Sequence, residues 1–166
     1  MHQKAIDQIR KVLESLYSSN DEELAEIINA KNEVLERYQP IFSIEQIPNL
    51  TADEFKSFLI FQNNKHWKAI HRQGGLITED MKALRQALNL LLDESIPIES
   101  RLRRIRPKNK EPMVMGLARS VMSPILLVAY PDKYGVLNQV AENALIQLNL
   151  MPDFDRGVVL RLNIVK

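Results

Sequence analysis

Three groups of residues in this 166-residue chain can do chemistry, and their spacing narrows what that chemistry is. The first is histidine. His66 and His71 stand five apart, about 500° around a helix at ~100° per residue, so they point roughly 140° apart and do not suit a shared metal. The chain has no cysteine, which excludes thiolate metal sites and disulfides. The second group is the polar-aromatic stretch "NNKHWKAIHRQGG". On a helix, Asn64, Trp67 and His71 share a face at spacings of three and four, beside a basic stripe of Lys65, Lys68 and Arg72. One reading is a cleft wall on which Trp67 or His71 stacks against a planar ligand while Asn64 hydrogen-bonds it. The other is a core tryptophan with a satisfied histidine and solvated lysines. The third group is "RLRRIRPKNK". Arg101, Arg103, Arg104, Arg106, Lys108 and Lys110 are six of the 22 basic residues, with no acid among them. They leave 16 basic against 21 acidic residues elsewhere, so a cationic segment sits on a body of charge −5. That distribution suits a local anionic partner such as a nucleic-acid backbone. The competing reading pairs these arginines with acids such as Glu94 and Glu99.

The elements that must position these groups read as helices almost throughout. Ile6, Ile9, Leu13 and Leu16 recur every three or four residues and predict a first amphipathic helix ended by "SSN". Asp21, Glu22 and Glu23 favour the start of a second, whose stripe is Leu24, Ile27, Ile28, Val34 and Leu35 and which Pro40 closes. "TADE" is a capping box in which Thr51 and Glu54 bond each other's backbone. It predicts a long helix over 52–72 with Phe55, Phe58, Leu59 and Trp67 facing inward, terminated at Gly74-Gly75. Thr78 is the expected cap of the next helix, striped by Met81, Leu84, Leu88, Leu91 and Leu92. Pro97 suits the first turn of a short helix that carries the basic run and stops at Pro107, with Arg101, Arg104 and Lys108 along one side if it continues. Beyond a "KNKEP" loop, Gly116 permits a turn with positive φ. An apolar helix then runs through Leu126–Ala129. Asn138 caps a last helix bearing Val140, Ala144, Leu145 and Leu148. The tail over 157–166 has strand composition among helical neighbours.

The stretch from Gly116 to Leu150 resembles the helix-hairpin-helix segment of DNA glycosylases of the endonuclease III type. Gly116-Leu117-Ala118 stands at the hairpin, Pro124–Tyr130 at the apolar helix, Val136-Leu137-Asn138 at the opening of the next helix, and Gln147-Leu148-Asn149-Leu150 at its end. The resemblance covers about 35 of the 166 residues. It implies a hairpin whose backbone amides converge on a phosphate, with Arg119 adding a charge-assisted contact. It also implies departures. The family's nucleophilic lysine falls on Ser120, and its assisting aspartate falls on Asn138 or Leu137, neither of which ionises as a general base must. Pro124 is a further departure, since inside a helix it removes a backbone bond; Ser123 as N-cap would place it in a first turn. The stretches "VLERYQPIFS", "FLIFQNNKHWKAIHRQGG" and "LLVAYPDKYGVLN" also resemble a prokaryotic module linked to DNA-restriction or nucleotide-driven systems.

These readings together predict an all-α, multi-helix globular domain with a helix-hairpin-helix-like C-terminal half. Residues 1–40 form an N-terminal helical hairpin, and 41–166 form a helical domain with its hairpin at 113–150. The expected function is non-catalytic DNA binding through Arg101–Lys110 and Gly116–Arg119, with Asn64, Trp67, His71 and Asn138 lining a pocket. The alternative is a protein-interaction or regulatory domain that meets a partner or a second copy through 1–40. No cofactor or metal is expected. The N-terminus lacks the unbroken apolar core of a secretory signal, and the most apolar run, Val121–Tyr130, is about half the ~20 residues of a membrane span, so the expectation is a cytoplasmic protein.

Overall fold

The computed structural model describes residues 2–18, 22–136 and 138–147. Leu137, the string at 148–150 and the tail over 157–166 lie outside the described residues. Every regular element within them is helical, as the periodicity requires. The order is α1 (His2–Ser18), α2 (Glu22–Tyr38), α3 (Ala52–Leu59), α4 (Phe61–Asn64), α5 (Gly74–Ile77), α6 (Met81–Leu92), α7 (Ile98–Ile105), α8 (Arg119–Ala129) and α9 (Gln139–Gln147). Short 3-10 turns at Ile47–Asn49 and Ile70–Gln73 join them, and no strand occurs among the described residues.

Two helices organise the core. α6 buries Leu84, Ala87, Leu88, Leu91 and Leu92 on one face, the spacing expected of an amphipathic helix. α8 is apolar nearly all round and buries Val121, Met122, Ile125, Leu126 and Val128. α6 packs against α7 and α8, and α8 also packs against α2. Each fully buried leucine or isoleucine contributes roughly 1.5–3 kcal/mol relative to leaving it in water. An aromatic cluster closes the other side of the core. Phe58 lies edge-on to Phe42 at 4.8 Å and to Tyr38 at 5.1 Å, with Trp67 tilted against it at 5.7 Å. Tyr38 and Val34 come from the last turns of α2 and share this core, so the expected unit 1–40 and the rest of the chain are packed together there.

The capping box forms as read: the Thr51 hydroxyl accepts from the Glu54 amide at 3.2 Å, and Glu54 accepts from the Thr51 amide at 2.8 Å. The helix it starts is much shorter than expected. α3 ends where Ile60 turns extended, and α4 ends at Lys65, whose φ of 59° is left-handed. The cause of the second ending is Asn64. Its Oδ1 accepts from the amides of His66 (3.1 Å) and Trp67 (2.8 Å), and its Nδ2 donates to the Phe58 carbonyl (2.9 Å). A side chain that satisfies the amides two and three residues ahead gives the backbone an alternative to the helix ladder. Gly74-Gly75 therefore opens the short α5 and does not terminate a long helix. The cap of α6 is also corrected: Asp80 accepts from Ala83, whereas the Thr78 hydroxyl donates back to the Gly74 carbonyl at 2.8 Å. α8 begins at Arg119, so Ser123 is no cap and Pro124 stands inside the helix.

Candidate functional site

The segment between α7 and α8 brings the basic run and the glycine turn together. α7 buries Ile98, Arg101, Leu102 and Ile105 and ends with the Arg106 amide donating to the Leu102 carbonyl. The chain loops out through 107–112 and returns, with the Met113 amide donating to the Ile105 carbonyl at 2.9 Å. Arg106 Nη1 then reaches the Leu117 carbonyl at 3.4 Å. Gly116 has a φ of 80°, as the sequence suggested. The turn is also seated tightly: a Cβ at Gly116 would lie 3.1 Å from Ile77 Cγ1 and 3.3 Å from Leu76 Cδ2, both on α5. Leu117 is wholly buried and acts as the turn's anchor. α8 starts immediately after, from Ala118 in extended conformation with no side-chain cap. An alanine N-cap supplies no side-chain acceptor to the first turn of this 11-residue helix, where the Val121 and Met122 amides both donate to the Ala118 carbonyl.

The six cations of the run have different fates. Arg103, Arg104, Arg106, Lys108 and Lys110 face solvent. Arg101 does not, and it is removed from the expected phosphate contacts. Its side chain is 2% exposed, because it falls on the same stripe as Ile98, Leu102 and Ile105. Burial of a guanidinium requires partners. Arg101 donates to the Leu91 carbonyl at 2.6 Å and to the Tyr134 hydroxyl at 2.6 Å, and it pairs with Glu94 at 2.9 Å. Glu94 also accepts from Tyr134 at 2.6 Å and pairs with Lys133. Of the two acids named from sequence, Glu94 is thus the partner. Arg119 is also committed in part: it pairs at 2.8 Å with Glu142, a nearly buried carboxylate on α9. Asn138 caps α9 by accepting from Ala141 at 2.9 Å, its blander role.

The expected pocket of Asn64, Trp67, His71 and Asn138 is not assembled. Asn64 is buried and spends its side chain on the backbone, and Trp67 packs on Phe58. His71 is exposed, with Nδ1 at 2.9 Å from the Lys68 carbonyl. The face that the three were to share requires a helix that ends at Asn64. Burial, and then the Lys65 ammonium, lower the His66 imidazole pKa below its ordinary value. A small cleft of about 170 Å³ lies elsewhere, between Pro40, Ile41, Gln46, Asn49, Leu50 and Glu54. Its one acid is Glu54, whose pKa is lowered by the Thr51 amide and hydroxyl of the capping box. That carboxylate is occupied with the helix start. No group of three histidines or carboxylates suited to a metal ion occurs among the described residues.

Sequence reasoning missed Glu142 and Tyr134, the partners of Arg119 and Arg101. They lie 23 and 33 residues away, with no local pattern to link them. No protein-family model matches the chain, and neither the curated proteins nor the solved structures contain a match to it. No helix among the described residues is long and apolar enough to cross a membrane.

Proposed function

We propose that the chain is a non-catalytic nucleic-acid-binding module that takes duplex DNA by its backbone. Arg103, Arg104, Arg106, Lys108 and Lys110 neutralise phosphates, and the uncapped start of α8 receives one of them. The observation that carries this reading is the contact of Arg106 with the Leu117 carbonyl, which brings the middle of the cationic run to the glycine turn before α8. Cations and helix-terminal amides converging on one place are what a phosphate oxygen requires. The hairpin resemblance supports duplex DNA as the partner. Base excision is not part of the proposal: Ser120 and Asn138 do not ionise, and Asn138 is occupied as a cap.

Fluorescence anisotropy with labelled duplex DNA across a salt series tests this. Log affinity should fall linearly with log salt. Arg103→Glu/Arg104→Glu should weaken binding and make the slope shallower by about 2, since each neutralised phosphate adds about 0.9. No binding at low salt overturns the proposal. A second reading, a protein-interaction domain, is favoured by the exposed apolar side chains of α1 and α2.

A further inference from the structure

α1 carries an apolar stripe that the described residues leave half-buried at Ile6 and Ile9 and exposed at Val12 and Leu13. Ile6, Ile9, Val12 and Leu13 span an arc of about 120° at 100° per residue, wider than a two-helix seam and suited to a helix with two apolar neighbours. Val12 is 59% and Leu13 41% exposed, and among the described residues no helix packs extensively against α1. α2 repeats the pattern by halves. Val34 and Tyr38 are buried, but Ile27, which continues their stripe about two turns before Val34, is 52% exposed. The apolar seam of the core thus runs on past the edge of the body.

Charge says what covers it. α1 holds Lys4, Arg10 and Lys11 against Asp7 and Glu14, a net of +1. α2 holds Glu22, Glu23, Glu26, Glu33 and Glu36 against Lys31 and Arg37, a net of −3. A twofold axis turns opposite charges on two helices into two identical attractions, because each contact i to j is repeated as j to i. We propose that α1 and the first half of α2 pair with the same elements of a second copy, α1 on the partner's α2, forming a four-helix dimer. The inference is independent of the DNA reading and uses different residues.

Light scattering of the full chain over a concentration series should give twice the 19.2 kDa chain mass at the upper end. Val12→Glu, at a solvent-facing position, should leave the core melt unchanged and abolish the dimer. The decisive test is a charge swap. Lys4→Glu/Lys11→Glu makes both helices acidic, and Glu22→Lys/Glu26→Lys makes both basic, so each variant alone should dimerise about tenfold or more weakly than the parent chain. Mixed in equal amounts, the two should restore the dimer as a heterodimer. A monomeric parent at every concentration overturns the proposal. So does a dimer that mixing leaves unrestored, because its interface must then lie elsewhere.

Discussion

Arg101 and Arg103 stand two positions apart in one cationic run and meet opposite physics. Arg101 has lost water and holds Glu94, Tyr134 and the Leu91 carbonyl together. Removing it strands a carboxylate and a carbonyl in or near the core. Arg101→Ala should therefore cost about 3 kcal/mol of stability, toward the lower end for a broken buried pair because Glu94 keeps some solvent and Lys133. Arg103→Ala and Arg104→Ala, at exposed positions, should stay within about 0.5 kcal/mol. Urea denaturation of the three single variants checks this. Equal costs across them would mean that the guanidinium of Arg101 is not held as described. The contrast also separates folding from binding: the residue that costs stability is not one expected to meet phosphate. Composition revealed the run but not this division, because the helical register that buries position 101 has to be set against Ile98, Leu102 and Ile105 together.

At the scale of elements, two glycines make opposite forecasts. Gly116 has positive φ and no room, with Ile77 Cγ1 3.1 Å from where a Cβ would sit. Gly116→Ala adds about 1–2 kcal/mol for left-handed backbone, plus the displacement of α5. Gly75 lies in the helix α5 with nothing within 4 Å of its Cβ position. Gly75→Ala should stabilise by about 0.4–1 kcal/mol, by restricting the unfolded chain. Thermal melts of the pair read the difference directly, and a harmless Gly116→Ala would remove the argument that the turn is seated on α5. The same elements show why parts of the chain were legible. Glycine, the Thr51–Glu54 box and the α6 stripe act within a few residues, so spacing alone exposes them. The helix expected over 52–72 fails first at Ile60, which turns extended, and again after Asn64, which reads from its spacing as a ligand-binding group on a helix face although its side chain ends α4. Pro124 misled in the opposite direction: its cost of about 3 kcal/mol suggested a helix start, yet α8 carries it in its interior, buried in an apolar helix.

For the whole molecule, stability is unevenly distributed. α6, α7 and α8 bury their apolar faces in one core, whereas none of the described side chains of α1 is buried. The sequence shows the stripe of α1 clearly, but a stripe does not say whether its cover comes from the same chain. A helix of 17 residues stands only just above the about 12–15 residues below which isolated helices are marginal even with favourable composition, and most helical stability in proteins comes from packing of an amphipathic face. The helicity of α1 therefore depends on what packs against it. If a second copy does so, amide hydrogen exchange in α1 must depend on protein concentration. Below the dissociation constant α1 should exchange nearly as an unfolded segment, while α6 and α8 keep the protection of the global fold. Above it, α1 and the first turns of α2 should gain protection together, and the core should be unaffected. Protection of α1 that is the same at every concentration would locate its partner within the chain, and it would do so whether or not the cationic face binds DNA.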